Sequence, residues 1–492
     1  MATRQILRPH AASLTASMRD LGYSLQAAVA DLIDNSITAE STEICIVCDL
    51  ALADPVLVIL DNGWGMTGAE VVAAMRHGAT DPRKTRLPKD LGRFGLGLKT
   101  ASFSQCRTLT VVSAKNGMRT AARWSLDLIE VEEDWIIEVL APEEISALPY
   151  VDELGDTGTL VIWQDLDRLF EDVTGEKRNE VVNEKLTAVE RHLSLVFHRF
   201  LSGDVKGRKR LSIRLNGGPV KAFDPFCLRN EATQILPTET VYVNNVAISM
   251  QPYILPHHSR LSQSEYDFYQ TRSDFISNQG AYVYRNCRLM AWGDWFRLIP
   301  KGEATKLARV QIDFPNSLDE AWTIDIKKSR ARPPHAVRDR LRQIIEKITF
   351  RSREVSRGRG QRLYSEIKAP FWERYASHEG IRYVVNNRHP LIEAVSNRLG
   401  DDERRSFDLM IESLGAALPV EMIYSDYSTH PRDFSLQERP ASEVAERLRL
   451  LKQAIFGAGS VNPLMFRQVV ASTHLFDSYT DLIEKFIHEE IG

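Results

Sequence analysis

The sequence has no apolar run approaching the roughly 20 residues that a membrane-crossing helix needs. Nor does it open on a hydrophobic leader: MATRQILRPH is polar and charged, so secretion is not expected. Cysteine is scarce, 5 in 492 residues. An odd number so thinly spread argues against a disulfide framework and suits a reducing, cytoplasmic setting. Cys45 and Cys48 form a C-x-x-C, but EICIVC reads as a buried strand, where positions i and i+3 point to opposite faces. No second cysteine pair lies nearby, so neither metal nor redox use is expected of them. Internal repeats and low-complexity tracts are missing too, which excludes a solenoid or a tail-like chain.

What is present is ordinary in amount and uneven in place. At 492 residues the chain can hold two to four domains, each with its own core. Apolar and charged fractions of 43% and 26% are those of a globular protein. The net charge of −4 hides an asymmetry: residues 327–362 carry thirteen Lys/Arg against three Asp/Glu, or +10, leaving −14 elsewhere. A basic block within an acidic chain points to a localised polyanion contact.

The first 165 or so residues read as mixed α/β. SLQAAVADLIDNSITA (24–39) places Leu25, Val29, Leu32 and Ile33 at helical spacing, with Ser24 as N-cap. Two apolar strands follow, EICIVCDL and PVLVIL. Residues 68–91 have loop composition, and a helix is expected from the glycines at 92–97 to about Gln105. Strands are expected at 107–114, 119–125, 134–140 and 158–163, then an amphipathic helix at 178–201. A second set of strands spans about 205–345, ending in a basic helix, and the chain beyond about 365 reads as mainly helical with a loop near YSDYSTHPRDFSLQERPAS. Strands grouped on one side and helices on the other define an α+β fold, with an α/β sandwich at the N-terminus.

Three segments carry chemistry. Asp31 and Asn35 lie four apart on one helix face, a carboxylate that can take a proton from water and a carboxamide suited to Mg²⁺. In Asp61-Asn-Gly63-Trp-Gly65-Met66-Thr67, an aspartate at a strand end can accept a hydrogen bond from an exocyclic amine. The glycines there let backbone approach a flat ring. In LGRFGLGLKTAS (91–102), Gly92, Gly95 and Gly97 free backbone N–H groups at a helix start, and Lys99, Thr100 and Ser102 add charge and donors. This stretch fits neither the Walker A pattern nor the dinucleotide fingerprint.

In this order and spacing, the segments resemble the GHKL ATPases, whose Bergerat fold binds ATP without a P-loop. DLIDNS resembles the N-box, DNGWGMT the G1 box, LGRFGLGLKT the G2 box, and TGTLVIW (157–163) the later Gly-Thr strand. The resemblance implies that Asp61 takes the adenine amine, with Gly63, Gly65 and Met66 around the base and Thr159 adding a contact. It implies that Asn35 holds Mg²⁺ and that Gly92, Gly95, Leu96, Gly97, Lys99 and Thr100 lie against the phosphates, residues 66–97 forming an ATP lid. Asp31 takes the general-base position, where the commoner family residue is Glu. Asp34 is the nearest substitute. Being one methylene shorter, Asp31 makes ATP binding the firmer expectation than hydrolysis.

The ATPase segment is N-terminal, unlike that of sensor histidine kinases. GAYVYRNCRLMAWGDW and AWTIDIKKSRARPP resemble the transducer domain of clamp-type members: MutL, type II topoisomerases, MORC ATPases and the ninety-kilodalton chaperones. There a transducer cation reaches the γ-phosphate, a role implied for Lys328 or its neighbour Lys327. The resemblance is nearest to bacterial MORC-like ATPases and covers about 15–340. It implies domains at 1–175 (ATP-binding), 176–350 (transducer-like) and 351–492 (mainly helical). It also implies an ATP-dependent homodimer acting on DNA through 327–362, with partner proteins of a defence system. A chaperone-like clamp for protein clients and a non-hydrolysing ATP switch are the alternatives.

Overall fold

The computed structural model describes residues 9–20, 22–76, 90–92, 97–170, 177–256, 260–262, 269, 277–302, 305–324, 331–348, 371–377, 380–419, 422–423, 440–457, 461–477 and 479–491. The chain separates into two compact units, Met1–Ile348 and Thr349–Gly492.

The first unit opens with α1 (Ala11–Arg19), α2 (Leu25–Thr38), β1 (Glu43–Asp49) and β2 (Val56–Asp61). Next come α3 (Gly68–Met75), α4 (Gly97–Phe103), β3 (Thr108–Lys115), β4 (Met118–Ser125) and α5 (Leu126–Glu132). β5 (Glu138–Val139), α6 (Pro142–Ser146), β6 (Gly158–Gln164) and α7 (Asp167–Phe170) follow. Then come α8 (Lys177–Val196), α9 (His198–Ser202), β7 (Ser212–Leu215) and β8 (Gly218–Pro219).

These strands make one sheet in the order β5-β4-β3-β6-β2-β1-β7-β8. All neighbours are antiparallel except β1 and β7, which run parallel. The continuous apolar run of β2 follows from its place in the sheet, where both faces are covered. Leu57 and Ile59 join the core formed with Val29, Ile33 and Phe103. Val56 and Val58 face the other way, into a smaller core with Ile145, Leu154 and Leu160. Leu25, Val29, Leu32 and Ile33 of α2 are all buried, as their spacing requires. Ser24 stands at the N-cap position but makes no side-chain capping bond. Truncating Ile33 to Ala would leave a void costing about 2–5 kcal/mol.

Four local readings differ. Residues 68–75, read from sequence as loop, form the helix α3, started by a capping box between Thr67 and Glu70. Only residues 138–139 of the expected 134–140 strand pair with the sheet. The expected helix at 178–201 is interrupted at Phe197, whose φ/ψ of −105°/16° leave the helical region. Residues 212–219, read from sequence with the second set of strands, extend the first sheet instead, because β7 hydrogen-bonds to β1.

The second sheet contains β9 (Gln234–Ile235), β10 (Glu239–Val243), β11 (Val246–Ile254), β12 (Gly280–Arg285), β13 (Arg288–Asp294) and β14 (Ala308–Phe314). Its order is β10-β11-β14-β12-β13, with β9 paired to β11 and β12 parallel to β14. A helix at 335–348 buries Val337, Leu341, Ile344 and Ile348 in a core with Ile248, Met250, Val283 and Val310. Elsewhere Phe226, Tyr253, Tyr282 and Tyr284 form an aromatic cluster, and His198 of α9 bonds the Tyr284 hydroxyl through Nε2 at 2.8 Å. Burial pulls the His198 pKa down to about 3. Of the basic stretch, 327–330 and 349–362 lie outside the described residues. In its described part Arg340 and Lys347 pair with Glu239, and Arg342 pairs with Asp339.

The second unit is α+β as well. A two-stranded ribbon, Trp372–Ser377 with Gly380–Val385, precedes helices Pro390–Ser396, Asp401–Ala416, Ala441–Phe456, Pro463–Thr473 and Thr480–Glu490. Val444, Leu448, Phe466, Val469 and Phe486 form its core. The ribbon was not evident in the sequence, where charged residues interrupt its apolar positions. Most of the loop near YSDYSTHPRDFSLQERPAS lies outside the described residues. Among the described residues no helix is long and apolar enough to cross a membrane.

Candidate functional site

The end of β2 delivers Asp61 to a buried position, 7% exposed. Its Oδ2 accepts from the Ser36 hydroxyl of α2 at 2.7 Å, and its Oδ1 accepts from the Gly63 N–H at 2.9 Å. Burial pushes the Asp61 pKa up, opposed by hydrogen bonds from Ser36, Gly63 and Thr159. Asn62 fixes the turn that follows: its Oδ1 accepts from Ser41 Oγ at 2.8 Å and from the N–H groups of Thr42 and Glu43 at 2.9 and 3.0 Å.

Beyond the turn, the chain is stitched to β3 and β6. Ser113 Oγ accepts from Met66 N–H and donates to the Gly158 carbonyl, each at 2.9 Å. Thr159 Oγ1 lies 3.1 Å from the same hydroxyl. Thr159 stands opposite both Asp61 and Ser113 in the sheet register. Gly65 has φ of +68°, and a Cβ there would sit 1.8 Å from the Ala114 carbonyl oxygen, so only glycine fits. Asp61, Gly63, Gly65, Met66 and Thr159 therefore come together around one sheet end.

The second cluster lies on α2 and α4. Asp31 is 3% exposed, and the Tyr23 hydroxyl donates to its Oδ2 at 3.1 Å. Gly97 is adjacent: a Cβ there would be 3.4 Å from the same oxygen. Asn35, one turn along α2, is exposed. Asp34 is instead buried in an ion pair with Arg288 of β13, Nε to Oδ1 at 3.2 Å. Lys99 is buried and donates from Nζ to the Ala74 carbonyl at the end of α3 at 2.9 Å; burial pulls its pKa down to about 8. Thr100 is also buried, and its Oγ1 has no hydrogen-bond partner among the described residues. Ser102 has a packing role, donating to the Leu98 carbonyl and accepting from Trp163 Nε1. Gly95 and Leu96 lie outside the described residues, as do Lys327 and Lys328.

Sequence reasoning missed the residues that hold these clusters in place. Ser36, Ser113 and Tyr23 are among them. A serine within the apolar run TLTVVSAK and another directly after Asn35 were the available signals. Also missed was the β12–β13 turn. Arg285 there donates to the carbonyls of Asp90, Leu91 and Gly92. Nothing local in the sequence links residue 285 to residue 91.

Residues 23–159 match a family model described as histidine kinase-, DNA gyrase B-, and HSP90-like ATPase. That span begins at Tyr23 and ends at Thr159, and it contains both clusters. The match makes this span similar to the ATPase domains of the GHKL class. No curated protein matches the chain.

Proposed function

We propose that residues 23–159 bind ATP with Mg²⁺ and hydrolyse it. The observation that carries this reading is Asp61, a buried carboxylate oriented by Ser36 and Gly63 beside Thr159 and the close-packed Gly65. A buried acceptor next to glycine backbone suits a flat ring bearing an amine. The buried Thr100 hydroxyl, without a partner among the described residues, suits a ligand oxygen on the other side.

Asn35 is the residue that would hold Mg²⁺. Its exposed carboxamide is a hard oxygen donor, and among the described residues there is no cluster of three or more His, Cys, Asp or Glu to form an all-protein cage. That is compatible with a Mg²⁺ bound mainly through substrate phosphates and water. When bound, the ion supplies charge neutralisation on the phosphates. Asp31, packed against Gly97, is the candidate proton acceptor. Lys99 and Lys328 are the cations assigned to the phosphates.

The narrower form of the proposal is a MORC-like clamp that closes as a homodimer on ATP and acts on DNA in a defence setting. Its support is the likeness of DLIDNS, LGRFGLGLKTASFSQC and YRNCRL to that group, and the +10 charge of residues 327–362. A non-hydrolysing switch is the second reading. It is favoured by Asp31 being both shorter than Glu and engaged by Tyr23.

Titration with ATP and GTP tests the core proposal. Guanine carries a carbonyl where adenine carries the amine, so it would face the Asp61 carboxylate with a second acceptor. The expected preference for ATP is at least about tenfold. Equal affinities, or no ATP binding, would remove the adenine assignment.

A further inference from the structure

The β12–β13 hairpin turns through Asn286 and Cys287, both with positive φ (49° and 69°). Positive φ at both central residues is the pattern of a tight two-residue hairpin turn. Its flanking residues reach away from their own sheet. Arg285, about 1% exposed, lays its guanidinium along three consecutive backbone carbonyls. Nη1 donates to Asp90 O at 3.3 Å and to Leu91 O at 3.0 Å, and Nη2 donates to Gly92 O at 3.3 Å. The remaining donors, Nε and Nη2, meet the Asp319 carboxylate, both at 2.6 Å. All five guanidinium N–H groups are thus used, and the buried charge is neutralised. Asn286 Nδ2 adds a bond to Asp90 O at 3.1 Å.

Across the turn, Arg288 holds Asp34 of α2, the residue before Asn35. One turn of the second sheet therefore grips two places outside it: Asp34 in the C-terminal half of α2, and the strip of backbone entering the glycine segment. Leu91, 2% exposed, seats that strip in the main core.

We propose that Arg285, with Asn286, is a positioning residue for the phosphate side of the site: it fixes the path of residues 90–92 and so the approach of Gly92 and Gly97 to the phosphates. This rests on the ATP reading above. A lysine at 285 keeps the charge facing Asp319 but cannot span three carbonyls, because a single ammonium replaces the planar fork. The adenine end, held by Ser36, Ser113 and Asn62, shares none of these contacts.

The test compares Mg-ATP and adenosine binding by calorimetry in the full chain, for wild type, Arg285→Lys and Asn286→Gly. The glycine keeps the left-handed backbone and deletes only the amide, so it carries the test if Arg285→Lys does not fold. Arg199→Lys serves as control, since Arg199 is also mostly buried and paired, with Asp313, but makes no bond to residues 90–92. Arg285→Lys is expected to lose on the order of tenfold or more in ATP affinity, and Asn286→Gly a smaller factor, while adenosine affinity holds within about twofold. The control should leave the ratio of the two affinities unchanged. Equal loss of both ligands, no loss of either, or a control showing the same selective loss would overturn the positioning role. A wild type that binds neither ligand would remove the ATP reading, and this role with it.

Discussion

Ser36 donates its hydroxyl to Asp61 Oδ2 at 2.7 Å, joining the helix of the N-terminal motif to the end of β2. The bond orients a carboxylate that burial disfavours. It leaves Oδ1 held by Gly63 and both oxygens on a defined face.

Asp61→Asn replaces one acceptor oxygen by a donor in that setting. The variant is expected to lose about 1–3 kcal/mol of ATP affinity. Ser36→Ala, which keeps the carboxylate but frees its orientation, should lose less. Calorimetric titration of both, with thermal midpoints to verify folding, checks the order. Unchanged ATP affinity in Asp61→Asn would show that the base sits elsewhere.

The elements that place Asp61 were legible because their signals are local. Leu25, Val29, Leu32 and Ile33 spell one helix face, and Val56–Leu60 is too short and too apolar for anything but a covered strand. The α+β class followed from the grouping of such segments. Contacts between distant segments were not legible. Residue 285 touches 90–92 only because the fold brings the end of β12 beside that strip, and β7 left its sequence neighbours to pair with β1. Lys99 shows the same limit: no local signal announces that its Nζ donates to the Ala74 carbonyl of α3.

Asp31→Asn tests the proton acceptor. The amide keeps size and polarity, and the Tyr23 hydroxyl can still donate to its oxygen. ATP affinity should stay near wild type, whereas turnover should fall by about 10²- to 10⁴-fold. Asp31→Glu should retain activity if Gly97, within van der Waals reach of the carboxylate, leaves room for one more methylene. Single-turnover phosphate release decides between them. A wild type with no turnover under any condition, DNA included, favours the switch reading.

Assembly and DNA contact separate the clamp from its alternatives. If only ATP offers a γ-phosphate to a cation such as Lys328, a non-hydrolysable ATP analogue should favour a dimer that ADP does not. Light scattering in the two states measures this, and identical masses would count against closure. Charge reversal at Arg353, Arg357 and Arg359 should weaken DNA binding and flatten its salt dependence. Binding that ignores both salt and these changes would take the DNA contact away from residues 327–362.

Lys99 offers a test through protons. Burial lowers its pKa from 10.5 to about 8 in the folded chain. Below about pH 8 both folded and unfolded chains hold the proton, and the burial penalty is present in full. Between that point and 10.5 the unfolded chain holds the proton and the folded one has released it, so stability should rise with pH across this window. Lys99→Met should abolish that rise. Phosphates beside the ammonium would act in the opposite sense, favouring the charged form and raising its pKa. ATP binding near pH 9 should then take up as much as about one proton, seen as a binding enthalpy that changes with the ionisation enthalpy of the buffer. The uptake should vanish in Lys99→Met. A wild type whose binding enthalpy is the same in every buffer near pH 9 would leave the Lys99 amine with the Ala74 carbonyl, and the phosphate role would pass to other residues.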